Sequence, residues 1–294
     1  MSTNLMSAYT DLHVHSSCSD GSDAPEEVVR RAASLGFSAL AITDHDTVAG
    51  VLEGAKAAEK FGIQYLSGVE ISSQFGKIEV HIVGLGIDPA CERLLQRLDT
   101  MRNARIARAK KIVERLQALG VPVVFDFEKD GSAYRGTIGR MHIARLIMDA
   151  GFASSIQEAF DKFLNPGRPA YFPRERLSCE EAIDLIHEAG GLAFLAHPGI
   201  GNLSQYLDGL TRLPFDGLEA FHTKHSPGQV EQFRLLAREL GWLISGGSDC
   251  HGSAKSSPEM GKVRVPYVYY ERIRECLAAK TVRGGKTSQR FLKA

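Results

Sequence analysis

Cysteine is scarce in this chain and ill-spaced for cross-links. Its five thiols, at positions 18, 91, 179, 250 and 276, form no CxxC pair, and the odd count suits reduced thiols rather than a disulfide frame. No stretch approaches the roughly 18 consecutive apolar residues of a membrane span. The opening MSTNLMSAYT has neither the basic nor the long apolar segment of a secretory signal, so a cytoplasmic location and no membrane partner are expected. Charge of one sign is missing as well: 35 Lys plus Arg stand against 35 Asp plus Glu. That excludes a generally basic nucleic-acid binder, although a whole-chain sum is blind to a local patch. Internal repeats and low-complexity runs are absent. What remains is ordinary for a globular chain of 294 residues, with 44% hydrophobic and 24% charged residues, which excludes collagen, coiled-coil and wholly disordered organisation.

Short apolar runs alternate with longer helical patterns. Strands are predicted at TDLHVHS (10–16), SALAITD (38–44), IQYLSGVE (63–70), IEVHIVGLG (78–86), GLAFLAH (191–197), FDGLEAF (215–221) and WLISGGSD (242–249). Helical periods are predicted over 25–35, 48–61, 179–189, 203–212, 227–240 and 267–279. An SSQFGK turn is expected between the third and fourth strands. After Asp88-Pro89 the alternation stops. Residues 90–119 carry Leu94, Leu98, Met101, Ala109, Ile112, Leu116 and Leu119 at helical steps, and shorter helices are predicted at 139–150 and 155–164, beyond a Gly-rich loop. Strands alternating with helices imply an α/β fold with a largely parallel sheet. About seven strands in about 220 residues favour a βα barrel over an open sheet. The barrel is assigned to 8–89 and 171–280, a helical insertion covering the active site to 90–170, and a loose basic tail to 281–294.

Ten His are present, and their placement says more than their number. His13 and His15, two apart on one strand, face the same way. Asp20 follows in the next loop. His45 ends the second strand, Glu70 ends the third, His81 lies on the fourth, His197 ends the fifth, and Asp249 with His251 ends the last. In a βα barrel those ends converge on one rim, where active sites are built. Six imidazoles and three carboxylates exceed the roughly four ligands of a closed structural ion. They suit two or three divalent ions sharing carboxylates. With no thiolate in the set, Mn²⁺ is expected first, with Fe²⁺ or Zn²⁺ as alternatives. Each piece alone has a bland reading, since an HxH or a His-Pro is often a satisfied polar group in a loop. Their joint placement at strand ends carries the metal reading.

The stretches DLHVHSSCSDG, AITDHDT, GVEIS, VHIVGLG, LAHPG and GGSDCHG resemble, in order from about residue 11 to residue 265, the metal motifs of the PHP family (polymerase and histidinol phosphatase). The resemblance implies a distorted (β/α)7 barrel, a trinuclear metal site and phosphoesterase activity. It implies that His13, His15, Glu70 and Asp249 hold one ion. Glu70, His81 and His197 would hold a second, and Asp20, His45 and His251 a third. Many members carry His where this chain has Asp20, which implies a weaker or more exchangeable third site. The inserted MRNARIARAKKIVERLQALG, TIGRMHIARLIMDAG and LNPGRPAYFP are similar to the branch that removes the 3′-phosphate of nucleoside 3′,5′-bisphosphates. Some members of that branch trim the 5′ ends of short RNA. The implied partner is a small phosphorylated nucleotide or short oligonucleotide, with no obligate protein partner.

Residues 99–115 hold six basic residues against two acidic ones. Arg108, Lys110, Lys111 and Arg115 read as a solvated face. Arg105 lies on the apolar stripe between Leu98, Met101 and Ala109, where a guanidinium needs a partner and a phosphate supplies one. Arg102 stands beside it. Arg140, at a helix start after RGTIG, is a further phosphate candidate, with His142 close by. Lys224 follows FDGLEAF at the barrel rim and is another. His225 is the candidate acid for the leaving oxygen, while His222 reads as packed. The expected reaction is hydrolysis of a phosphomonoester by hydroxide generated on the ions, without a Ser or Cys nucleophile. Rival readings are a 5′-3′ exoribonuclease on short RNA, a histidinol-phosphate type of phosphatase, an amidohydrolase, and a non-catalytic metal-stabilised module.

Overall fold

Side-chain alternation along short strands builds this molecule, a computed structural model that describes residues 8–125, 139–173, 176–254 and 259–288. The strands are β1 (Tyr9–Val14), β2 (Ala39–Ile42), β3 (Gln64–Phe75), β4 (Ile78–Leu85), β5 (Leu177–Ser178), β6 (Leu192–Leu195), β7 (Gly217–His222), β8 (Leu243–Gly247) and β9 (Val265–Pro266). In β2, Ala39 and Ala41 enter one apolar cluster with Leu12, Leu66, Val83, Leu85, Leu192 and Phe194. Leu40 and Ile42 enter another, with Val28, Val29 and Ala32 of helix Pro25–Ser34 and Ala57 and Ala58 of helix Val51–Phe61. A period of two thus assigns each residue of β2 to one cluster or the other. Tyr270 and Ile273 of the final helix complete the first cluster.

The sheet runs in the order β8-β7-β6-β4-β3-β2-β1-β9, with β5 pairing β3 off this path. A bridge between Val14 and Cys250 joins the end of β1 to the segment after β8, so the sheet nearly closes on itself. The result is a distorted (β/α)7 barrel of β1, β2, β3, β4, β6, β7 and β8. Gly247 permits the closure: a Cβ there would lie 2.4 Å from the His13 nitrogen.

The expected parallel sheet is interrupted. β4 pairs antiparallel with both β3 and β6. The predicted SSQFGK turn is mostly strand, because the ladder continues to Phe75 opposite Ile78 and leaves only Gly76 and Lys77 at the tip. Gly76, at φ 59°, supplies the left-handed residue that a two-residue hairpin needs. Polar serines disguise the strand. Ser73 Oγ donates to the Val80 carbonyl and Ser72 N–H to Asp46 Oδ1, so both are satisfied while buried.

The chain divides into two compact units, Met1–Leu95 with Leu177–Ala294, and Gln96–Arg176. The second has its own core, in which Ala109, Ile112 and Leu116 of the long helix Glu92–Ala118 pack with Ile143 and Ile147 of helix Arg140–Asp149 and with Leu164. Residues 203–212 give only a 3-10 turn and one short helical turn. The last helix continues to Ser288, so 281–288 is not the loose segment expected. Propagation of an established helix adds a hydrogen bond per residue and tolerates weak formers. Residues 289–294 lie outside the described residues. No helix among the described residues is long and apolar enough to cross a membrane.

Candidate metal centre

His13, in β1, and His15, just beyond it, are fully buried, and their Nε2 atoms lie 3.1 Å apart. Glu70, in β3, is the hub. Its Oε2 is 2.9 Å from His45 Nδ1, 3.2 Å from His15 Nε2 and 3.3 Å from His13 Nε2. Its Oε1 is 2.9 Å from His81 Nδ1 and 3.2 Å from His197 Nε2. Because β4 runs antiparallel, His81 lies near its start, where register sets it opposite Ser72, two residues from Glu70. Asp249 Oδ1 approaches His15 Nε2 at 3.3 Å and His13 Nε2 at 3.8 Å. Asp20 Oδ1 is 3.2 Å from His251 Nε2, and its Oδ2 is 3.9 Å from His45 Nε2. All nine predicted donors therefore meet.

Among the described residues three groups have ligand atoms within 4.8 Å of one another: His15 with Asp20, His45 and His251; His13 with His15 and Glu70; and His45 with Glu70 and His81. The donor set is all nitrogen and carboxylate oxygen, which suits hard to borderline divalent cations. Glu70 Oε2, His15 Nδ1 and His251 Nε2 are buried with no hydrogen-bond partner among the described residues. Lone pairs left so inside a protein fit a cation.

Electrostatics agree. Burial opposes a proton on His13, yet the Glu219 and Glu70 carboxylates hold it well above the usual imidazole range. At His15 burial is outweighed by Asp249, Glu70 and Asp20, which raise it to about 9. His81, buried against Glu70 and Glu79, is raised to about 10. Asp20, Glu70 and Asp249 resist burial because the imidazoles around them hold them well below the carboxylate range. Burial prevails at His197 and His251, which are lowered. The pocket is a concentrated negative field, and cations compete with protons for its lone pairs.

The surrounding contacts aim the donors. Glu219, fully buried in β7, accepts from His13 Nδ1 at 2.8 Å and from the His197 backbone N–H at 2.8 Å. That leaves His13 Nε2 as the inward lone pair. His251 Nδ1 donates to the Asp249 carbonyl at 2.8 Å, which likewise frees Nε2. Asp44 accepts from Ser16 N at 2.7 Å and from Ser16 Oγ and Ser19 Oγ at 2.6 Å, pinning the loop that leads to Asp20. His197 and Asp249 adopt φ of 32° and 53°, left-handed values that cost energy outside glycine and concentrate at functional sites. In the sequence Glu219 is only the second of two acids in the otherwise apolar stretch FDGLEAF. His222, read there as packed, is buried with Nε2 3.6 Å from Asp249 Oδ2, and it accepts from the Lys224 N–H at Nδ1.

The remaining candidates fare differently. His225 is not placed as an acid. Its Nδ1 donates to the Ala220 carbonyl at 2.9 Å and its Nε2 accepts from Gly199 N–H at 3.1 Å, so both ring nitrogens are engaged with backbone groups, and burial lowers its pKa. Arg102 is exposed and paired with Asp99 at 2.7 Å on its own helix. His142 Nδ1 accepts from the Gly139 N–H at 3.1 Å, closing the helix start. Lys224 is exposed in the loop after β7. Arg140 donates to the Leu164 carbonyl and stacks over Phe160. The loop RGTIG lies outside the described residues except for Gly139.

Arg105 and Arg108 line one cavity of about 410 Å³ with Met101, Lys111, Phe172 and Pro173. Arg108, read from sequence as solvated, donates Nε to the Phe172 carbonyl at 2.8 Å. Burial, then the charges of Arg140, Arg176 and Arg105, lower its pKa to about 10.

Residues 11–216 match the PHP domain family. A 3′,5′-nucleoside bisphosphate phosphatase of Chromobacterium violaceum is 38% identical over 261 residues, 86% of this chain and 91% of that protein. The 5′-3′ exoribonuclease Rnm of Escherichia coli is 37% identical over 258 residues, 85% of this chain and 87% of that one. A solved structure from Bifidobacterium adolescentis, described as a metal-dependent phosphoesterase, superposes with a TM-score of 0.79 at 31% identity, covering 91% of this chain and 96% of that one. With its donors gathered on one hub and its sequence matched over most of its length, the chain belongs to the PHP domain family and is a metal-dependent hydrolase of phosphoesters.

Proposed function

We propose that this hydrolase removes the 3′-phosphate of nucleoside 3′,5′-bisphosphates, with two or three divalent ions, Mn²⁺ first among them. His13, His15, Asp20, His45, Glu70, His81, His197, Asp249 and His251 would hold them. The observation that carries the reading is the Glu70 carboxylate set among five imidazoles at 2.9 to 3.3 Å. Bound ions lower the pKa of water towards neutrality and offset charge on the phosphoryl oxygens. The chain supplies the rest. Glu219 and the Asp249 carbonyl fix which imidazole nitrogens face inward. Asp44 holds the Asp20 loop in place.

The insertion, taken by itself, offers a candidate anion site. Arg105, Arg108 and Lys111 line one cavity there, and the mutual repulsion felt at Arg108 is what an anion would relieve. The relative from Chromobacterium violaceum acts on that substrate class by name. A second reading, 5′-3′ trimming of short RNA, is favoured by the Escherichia coli relative and would use the same centre.

The test is to give Mn²⁺-loaded protein a nucleoside 3′,5′-bisphosphate, simple phosphomonoesters and 5′-phosphorylated short RNA in parallel. The proposal expects inorganic phosphate from the bisphosphate at the highest kcat/KM. Mononucleotides released faster from RNA would favour the second reading. Incorporation of ¹⁸O from water into phosphate is expected in a single step, and a stoichiometric phosphoenzyme would overturn it.

A further inference from the structure

Within the barrel unit a second cavity, of about 370 Å³, shares His81 and His197 with the metal centre and is lined also by Ile78, Ile200, Asn202 and Leu203. We propose that this cavity seats the nucleobase of the substrate, an assignment that rests on the nucleotide reading above.

Four observations carry it. His81 and His197 line the cavity and both contact Glu70, at 2.9 and 3.2 Å, so the cavity adjoins the centre that would hold a phosphate, and a base joined to it through the sugar would lie in the cavity. The volume falls in the range of small-molecule sites, roughly 300–1,000 Å³. The chemistry of the walls is the converse of the insertion's cavity. Among the described residues no Lys or Arg lines it, and Glu79, with a half-exposed carboxylate, is part of its lining, so a phosphate is disfavoured there. Aliphatic walls with an amide and a carboxylate at the rim suit a flat, neutral heteroaromatic ring, which needs apolar faces and polar groups at its edge.

The fourth observation is that the wall is held in advance. Ile200 N–H donates to the His197 carbonyl at 3.0 Å. Gly199 is gripped on both sides: its N–H donates to His225 Nε2 at 3.1 Å, and its carbonyl accepts from Gln229 Nε2 at 3.3 Å. A Cβ on Gly199 would lie 2.7 Å from the His225 ring, so only glycine admits this packing. His225 thus serves as a positioning residue for the loop that carries Ile200. A wall that is already ordered costs a ligand little entropy on binding.

Two substrates separate the base from the phosphates: adenosine 3′,5′-bisphosphate and its abasic tetrahydrofuran analogue. Wild-type, ion-loaded protein is expected to prefer the nucleotide by about tenfold or more in kcat/KM. Ile200→Trp, which fills the cavity, is expected to raise KM for the nucleotide by about tenfold and to leave the abasic analogue within about twofold. Asn202→Ala changes an exposed rim residue and spares the fold, and it is expected to alter the adenine-to-uracil preference. Equal rates on both substrates in wild type, or an equal loss on both in Ile200→Trp, overturns the assignment. Calorimetric titration with adenosine 5′-monophosphate keeps the two readings apart. Binding that Ile200→Trp weakens, without any phosphate release from bisphosphates, would sink the phosphatase reading and leave the base pocket standing. Phosphate release with no discrimination for the base does the reverse.

Discussion

In the barrel unit a single buried carboxylate, Glu70, sits among five imidazoles; in the inserted unit Arg105, Arg108 and Arg140 gather on two helices, and Arg108 and Arg140 donate to backbone carbonyls. The first arrangement is a negative field built from strand ends far apart in sequence, as with His13 and Glu219, 206 residues apart. The second is a positive field in which Arg105 and Arg108 come from one helix. One unit is equipped for cations and the other for anions. The two also differ in rigidity of purpose. Moving one strand residue in the barrel disturbs several donors, whereas a helix surface loses one contact at a time.

The sharpest way to break the comparison is at the hub. Glu70→Gln keeps shape and removes charge, and activity should fall by more than about 100-fold, the upper end of what contacts outside the ligand set cost. Elemental analysis of the same variant should show fewer bound ions per chain. If it kept both ion content and turnover, the negative field would not be the source of function.

Next in size is Glu219→Gln. Glu219 touches His13 and the His197 backbone and no substrate, so the loss should appear as about 10–100-fold weaker ion affinity. Raising the Mn²⁺ concentration should restore most of kcat. A loss that added ion could not restore would show that Glu219 does more than aim His13.

How much of this was legible before the structure divides along the same line. Five of the nine candidate donors are readable in the short motifs HxH, TDHD and DCH, and Asp20, Glu70, His81 and His197 only from their places along or just after predicted strands. Glu219 is not, since its partner lies at the other end of the chain and a single acid in an apolar strand has no one-dimensional signature. The β3–β4 hairpin was missed because Ser72 and Ser73 look like loop residues until their partners, Asp46 and Val80, are in place. In the insertion, composition located the arginines but not their phase. Arg108 was set on the solvated face and Arg102 beside Arg105, whereas Arg108 lines the cavity and Arg102 turns to Asp99. His225 was given a chemical role because of its rim position, and only its two backbone partners revealed a structural one.

The insertion's side is tested by Arg105→Met. KM for a 3′,5′-bisphosphate should rise about tenfold, equivalent to roughly 1.4 kcal/mol, while kcat/KM for a simple monoester such as p-nitrophenyl phosphate stays within about twofold. Equal losses on both substrates would show that Arg105 supports the fold and not a substrate contact.

Removing the ions tests the barrel's field through stability. His15 and His81, raised to about 9 and about 10, add stability that is complete below an unfolded imidazole pKa of about 6.5 and is lost as pH climbs through their folded values. Asp20, Glu70 and Asp249, held low, add stability above about pH 4 and lose it as pH falls. His197 and His251, lowered, steepen the acid side. Chelator-stripped protein should therefore melt highest near about pH 5–6.5 and lose several degrees by pH 10. Mn²⁺-loaded protein should not show the alkaline loss, because its imidazoles are already deprotonated. A stripped protein as stable at pH 10 as at pH 6 would mean that the imidazoles carry no extra protons.

The smallest effect belongs to Arg102. Its ion pair with Asp99 is exposed and local to one helical turn, and such pairs contribute about 0.3–0.5 kcal/mol. Arg102→Ala should therefore leave KM for the bisphosphate within about twofold and the melting temperature nearly unchanged. Set beside Arg105→Met, three residues away, it asks whether position on the helix or simple proximity of charge decides binding. A tenfold rise in KM for Arg102→Ala would show that the exposed arginine reaches the substrate by leaving Asp99, and the division between a cavity face and a solvated face on this helix would fail.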